Sequence, residues 1–182
     1  MTLLVDHEIE MLVGEQDIIS PWDVAMLQPA SVDLRLGNLL LLENPVGSAQ
    51  KFWALDISDA TEDRPAFLKP GEFALAVTQE RLSLPADVSG ELCLKSSAAR
   101  TGLDHCLAGW IDCGYCGNPT LELKNALQHH AIPLWPGMPI VQVKLFRHSV
   151  AANPYGKKRG SHYQGDSRPE PAWTEPTNKA PF

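Results

Sequence analysis

This sequence predicts an all-β fold, an antiparallel sandwich or barrel with short helices confined to its margin. Three observations lead there. Apolar residues alternate with polar ones in several short segments, Gly and Pro punctuate the intervals, and no long helical pattern separates the segments. With 13 Gly and 15 Pro in 182 residues, the composition suits short strands and turns better than an all-helical chain.

The elements can be taken in chain order. Asp6 to Val13 opens acidic and carries Ile9, Leu12 and Val13 at helical spacing, which predicts a short helix. Ser20-Pro21 ahead of Trp22-Asp23 reads as an N-cap with Pro at the first helical position, predicting a second. From residue 31 the period becomes two: Val32, Leu34 and Leu36 alternate with Ser31, Asp33 and Arg35, as in a strand with one face in water. Phe73, Leu75 and Val77 repeat the pattern, followed by Leu92 and Leu94, Leu121 and Leu123, and Val141, Val143 and Leu145. Pro70-Gly71, Gly90, Gly114, Gly117 and Pro136-Gly137 are expected at turns. The length predicts one folded domain over 1–150. The segment 151–182 holds Pro154, Pro169, Pro171, Pro176 and Pro181 with few aliphatics. It cannot bury itself, so it is expected to be a loose tail or a flap that orders on binding, and basic Lys157, Lys158 and Arg159 favour a flap over an anion.

Composition narrows the function classes. Hydrophobic residues make up 44% and charged residues 20%, enough to bury a core. Apolar runs such as Leu39 to Leu42 are far below the ~20 residues that span a bilayer, and Met1 to Glu8 lacks the basic flank and apolar stretch of a secretory signal. A cytoplasmic protein without a membrane partner is expected. The net charge of −7, from 15 basic and 22 acidic residues, offers no basic stripe for nucleic acid, so any polyanion must be held in a local pocket. The four cysteines are Cys93, Cys106, Cys113 and Cys116. Cys113-Gly-Tyr-Cys116 has the two-residue gap of a zinc knuckle, but its only companion is His105-Cys106, whose adjacent side chains converge poorly on one tetrahedron. The spacing favours half-buried thiols over zinc. A zinc-dependent deaminase is excluded, because no H-x-E occurs and Asp112, not Pro, precedes Cys113.

Two segments carry candidate chemistry. Lys95-Ser96-Ser97-Ala98-Ala99-Arg100-Thr101-Gly102 follows a strand and ends in Gly, as a short helix capped by Ser would. It is either an anion site, with free N–H groups, hydroxyls, Lys95 and Arg100 as donors, or an ordinary capped turn. In Ala108 to Asn125, Gly114-Tyr115 and Gly117-Asn118-Pro119 suggest a tight hairpin. On the following strand Thr120, Glu122 and Lys124 share one face, while Leu121 and Leu123 face the core. Glu122 is either a general base whose pKa partial burial raises, or a carboxylate in water.

The combination of Gln28-Pro-Ala-Ser-Val-Asp-Leu-Arg-Leu-Gly37, Leu68-Lys-Pro-Gly-Glu-Phe73, Lys95 to Leu103, Asp112 to Asn125 and Pro136-Gly-Met138 resembles the dCTP deaminases of the trimeric dUTPase-like superfamily. The resemblance runs from the N-terminal helix to Tyr163. It implies a distorted β-barrel or jelly roll assembled as a homotrimer with sites between subunits. It also implies zinc-independent conversion of a deoxycytidine nucleotide, dCTP foremost, to dUTP and ammonia, with magnesium bound through the triphosphate. Glu122 falls on the family's general base and acid; Ser96, Arg100 and the Ala108 carbonyl match the groups that hold the attacking water and the glutamate. Lys95, Ser97 and Arg100 match phosphate contacts, with Ala98 and Ala99 in the same substrate-binding turn. Asp112 matches the contact to the sugar 3′-hydroxyl, Thr120 and Leu121 the backbone contacts to the base, and Gln142, Tyr155, His162 and Asp166 further phosphate contacts.

Three positions depart from the deaminase pattern. Trp110 stands where deaminases commonly carry Arg, so that Ala108-Gly-Trp-Ile-Asp112 is closer to the dUTPase pattern Ala-Gly-Val-Ile-Asp; it reflects either repacking or altered specificity. His162 and Asp166 replace a tail Lys and Gln. An alternative is therefore a dUTP diphosphatase, or a bifunctional enzyme that continues to dUMP, with Asp112 activating a water at the phosphate. A third reading is a nucleotide-binding regulator without catalysis.

Overall fold

The computed structural model describes residues 1–106, 108–158 and 160–173. The strands run β1 (Thr2–Leu3), β2 (Ile19–Ser20), β3 (Leu27–Gln28), β4 (Ser31–Arg35), β5 (Leu39–Glu43), β6 (Phe52–Asp56), β7 (Ala66–Leu68), β8 (Phe73–Val77) and β9 (Arg81–Ser83). They continue with β10 (Val88–Leu94), β11 (Leu103–Asp104), β12 (Trp110–Ile111), β13 (Cys116–Gly117), β14 (Thr120–Asn125), β15 (Ile132–Leu134) and β16 (Pro139–Arg147). Helix α1 (Asp6–Gln16) precedes β2, and α2 (Ser96–Ala99) follows β10.

The architecture is the all-β one expected, and among the described residues every pairing between strands is antiparallel. One sheet runs β12-β10-β16-β4-β3 with β1 added to β16, and a second runs β11-β14-β8-β5-β6. Smaller sheets join β13-β9-β2 and β15-β7. The alternating apolar faces meet in one core, where Leu34, Leu36, Leu82, Leu121, Leu123 and Val143 are fully buried. The period-two pattern is a burial pattern on β4, β14 and β16; on β8 it is corrected, since Ala74 and Ala76 join the core while Phe73 and Leu75 share the face of Glu122 and line a pocket. On β14, Leu121 and Leu123 point into this core, and Glu122, set opposite Leu75 of β8, points the other way.

Four further local expectations are corrected. The helix expected after Ser20-Pro21 shrinks to a 3-10 turn over Val24–Met26, capped by the Asp23 carboxylate accepting from the Ala25 N–H at 3.0 Å. Ser20 is not its cap, because β2 places Ser20 opposite Arg81 of β9. Gly90 lies inside β10, where it faces Ile111 on one side and Leu145 on the other, and a Cβ there would come within 3.2 Å of Val143. Asp33 does not face water. It is 3% exposed, ion-pairs with Lys95 and accepts from the Gln142 amide at 2.9 Å. The segment 110–117 is not a hairpin, since β12 joins β10 while β13 joins β9, so the turn at Gly114 hands the chain between two sheets.

The described residues after 150 lie along the body. The Tyr155 N–H donates to the Cys113 carbonyl at 2.8 Å, the Asn118 N–H to the Asp166 carbonyl at 2.8 Å, and the Gly165 N–H to the Cys116 carbonyl at 2.6 Å. Pro154 and Pro169 are buried. A segment poor in aliphatics is held here by backbone hydrogen bonds and two prolines, without a core of its own. Lys157 and Lys158 are exposed; Arg159, Pro176 and Pro181 fall outside the described residues. Among the described residues no helix is long and apolar enough to cross a membrane.

Candidate active site

β14, β8, the segment 108–115 and the chain after 154 enclose a pocket of about 430 Å³. β14 supplies Thr120 and Glu122 to its wall, and β8 supplies Phe73 and Leu75. Ala108, Trp110 and Asp112 come from a stretch fastened to β10, where the Leu92 N–H donates to the Gly109 carbonyl at 2.6 Å. Gly109 lies so close to Leu92 that its carbonyl oxygen occupies the space a Cβ would need. The Trp110 indole N–H donates to Asp112 Oδ1 at 3.1 Å, and the ring stacks on Phe146 at 6.3 Å between centroids. Tyr155, Tyr163, Asp166, Glu170 and Ala172 complete the lining, with Tyr155 packed on Tyr115 at 5.8 Å. The Glu170 N–H donates to Thr120 Oγ1 at 3.2 Å, which ties the chain's return to β14.

The electrostatics are one-sided. Asp112, Glu122, Asp166 and Glu170 line the pocket, and among its described lining residues none is Lys, Arg or His. Burial raises the pKa of Glu122, offset in part by its own backbone N–H. Asp166 is also raised, chiefly by burial and then by the Glu170 carboxylate. Behind Glu122, and not in the pocket lining, sits His105, which is 5% exposed. Its Nε2 is 3.9 Å from Glu122 Oε2, and neither atom has a hydrogen-bond partner. Burial pushes the His105 pKa down, the Asp104 carboxylate partly opposing, which favours the neutral ring.

Of the site residues expected from sequence, Glu122, Ala108, Asp112, Thr120, Tyr155 and Asp166 are brought together here. Leu121 turns its side chain into the core. Lys95, Ser96, Ser97, Ala98, Ala99, Arg100, Gln142 and His162 do not line the pocket within one chain. Lys95 and Gln142 instead meet on the Asp33 carboxylate. Lys95 occupies the N-cap of α2 and makes no side-chain cap, so serine capping is also corrected. The His162 ring stacks on Trp173 at 3.7 Å between centroids. Tyr163 and Glu170 also line the pocket but carry no local signal in the sequence, where His105 stands out only as a zinc-ligand candidate. Among the described residues no group of three or more His, Cys, Asp and Glu side chains is arranged to hold a metal ion.

A family model described as dCTP deaminase-like matches residues 3–148. A protein of Acidothermus cellulolyticus named "dCTP deaminase, dUMP-forming" is 43% identical over 180 residues, covering 93% of this chain and 94% of that relative. One of Rhodococcus jostii with the same name is 45% identical over 180 residues, covering 93% and 95%. The crystal structure of 2′-deoxycytidine 5′-triphosphate deaminase from Agrobacterium tumefaciens superposes with a TM-score of 0.64 at 26% identity. That match covers 80% of this chain, which spans about half (48%) of the solved one.

Proposed function

The chain belongs to the dCTP deaminase-like family, and from that premise we propose that it deaminates dCTP and carries the product on to dUMP. The names of the relatives favour this two-step reading over one that stops at dUTP. The observation that carries the first step is Glu122. A strand places its carboxylate in a half-buried wall, where desolvation raises its affinity for a proton.

In the proposed first step a water attacks C4 of cytosine while Glu122 takes its proton. The glutamate then delivers a proton to the ring nitrogen or the departing amine, so dCTP and water give dUTP and ammonia. A positioned acid–base group of this kind contributes about 10²–10⁴-fold. The carbonyl of Ala108 would hold the water, and the backbone of Thr120 and Leu121 would hold the base. Asp112 would hold the sugar 3′-hydroxyl. It is also the group available to activate a second water, which attacks the α-phosphorus; dUTP and water then give dUMP and pyrophosphate.

A triphosphate needs cations, and the described lining of a single chain offers four carboxylates. Lys95, Ser96, Ser97 and Arg100 of a neighbouring protomer would supply the missing donors, in keeping with a homotrimer whose sites lie between subunits. Magnesium would arrive on the nucleotide and offset the repulsion from Asp166 and Glu170; burial, and after it the Glu170 carboxylate, already raises the Asp166 pKa.

The test is incubation of the purified protein with dCTP and magnesium, following ammonia and the nucleotide products by chromatography. Ammonia, dUMP and pyrophosphate should appear in equal amounts. Accumulating dUTP would remove the second step, and no turnover would remove both. Glu122→Gln should bind dCTP and release no ammonia.

A further inference from the structure

We infer that His105 is the positioning residue of Glu122: its ring N–H closes onto Glu122 Oε2 and reserves that oxygen, so that the proton of the reaction travels through Oε1. The inference rests on the deaminase reading proposed above.

Among the described residues, His105 Nε2 and Glu122 Oε2 are the two sealed side-chain polar atoms without a hydrogen-bond partner, and they face each other at 3.9 Å. Buried polar atoms are rarely left unpaired, because each costs about 1–3 kcal/mol, and two orphans of complementary chemistry side by side point to one interaction not yet closed. The gap exceeds hydrogen-bond range, as catalytic hydrogen bonds often do before substrate binds. No neighbouring subunit can satisfy Oε2 in the present conformation, because that atom is already sealed within its own chain. The Glu122 side chain as a whole remains 28% exposed, and that exposure belongs to its other atoms.

The chemistry follows from the two oxygens. A carboxylate that shuttles a proton between water and substrate must carry it on the oxygen that faces them. An unrestrained Glu122 could park the proton on Oε2, pointing away from the pocket. A neutral imidazole donating to Oε2 blocks that site and favours the ionised form that accepts from water. Asp104 and Cys106 flank His105, Lys124 lies two residues along β14, and Asp112, Asp166, Glu170, Tyr155 and Tyr163 line the pocket. β8, packed along the other edge of β14, brings no titratable side chain. Of these groups only His105 has an orphaned nitrogen directed at Oε2.

The experiment compares wild type, His105→Leu and His105→Gln for kcat and KM with dCTP and for kcat/KM against pH, with Glu122→Gln as the reference for lost chemistry. His105→Leu should lower kcat about 10- to 100-fold, the effect of losing a hydrogen bond to a charged group, with KM little changed. Its acid limb should move to higher pH, because a carboxylate without its donor is harder to ionise. His105→Gln, whose amide can reach the same oxygen, should recover part of both. If His105→Leu fails to fold, His105→Asn, too short to reach, takes its place. A leucine (or asparagine) variant with the wild-type kcat and acid limb overturns the inference, as does a glutamine variant no better than it. An inactive wild type strikes the deaminase reading itself; an active one with unaffected His105 variants strikes the inference alone.

Discussion

Replacing Asn125 by Leu tests how the strand that carries Glu122 is anchored. Asn125 ends β14, is fully buried, and makes three side-chain hydrogen bonds. Its Nδ2 donates to the carbonyls of Leu68 and His130, and its Oδ1 accepts from the Leu127 N–H, each at 2.9 Å. Leucine keeps the branched four-heavy-atom skeleton of asparagine, so the loss is polar and leaves no cavity. The Leu68 carbonyl lies in a buried environment and would lose about 1–3 kcal/mol, whereas the His130 and Leu127 groups, nearer solvent, would lose about 0.5–1 kcal/mol each. The sum is about 2–5 kcal/mol, which for a chain of this size lowers the melting temperature by about 4–20 °C. Calorimetry or urea unfolding at fixed protein concentration measures it. Asn125→Asp should be worse than Leu, because it sets a carboxylate oxygen against two carbonyls. A loss below about 1 kcal/mol for Asn125→Leu would refute the premise that buried partners left unpaired, and not the shape of the side chain, dominate here.

Three further outcomes are expected. Trp110→Phe keeps an aromatic ring against Phe146 but removes the indole donor from Asp112, so KM for dCTP should rise about fivefold with stability within about 0.5 kcal/mol; steady-state kinetics and thermal melts check it. Gly114→Ala puts a Cβ 2.7 Å from Pro154 and from the Tyr155 carbonyl at a φ of +83°, so it should cost about 1–3 kcal/mol and free the chain after 150 to limited proteolysis. Glu122→Gln should raise the melting temperature, because burial lifts the folded-state pKa above the unfolded one and the folded chain bears an ionised buried carboxylate at every pH above it. Acidification through that pKa relieves the penalty, so the gain should be larger at about pH 8 than at about pH 5, and a gain that grows on acidification would contradict the sign.

Much of the framework was legible because burial in a sheet writes itself into sequence at period two. β4, β14 and β16 follow from their alternation, and Thr120 and Glu122 follow onto one face from that rule alone; on β8 the strand follows but not its inner face, because Ala74 and Ala76, not Phe73 and Leu75, join the core. The rule failed where a polar residue found a partner remote in sequence. Asp33 reads as solvent-facing until Lys95 and Gln142 arrive from β10's end and β16. Gly90 reads as a turn until a neighbouring strand needs the space a side chain would fill. The turn at Gly114 is locally hairpin-like, and only the partners of β12 and β13 reveal that it connects two sheets.

The linear order of residues by itself determined the all-β class, the face on which Glu122 stands and, through its motifs, the family resemblance, since each depends on residue types a few positions apart. Tertiary structure alone decided that Glu122 is half-buried, that Asp112, Tyr155, Tyr163 and Asp166 share its pocket, and that His105 stands behind it with an unpaired nitrogen. The reason is physical: desolvation and hydrogen-bond pairing depend on atoms brought together across the fold, and no local period encodes which distant group will arrive.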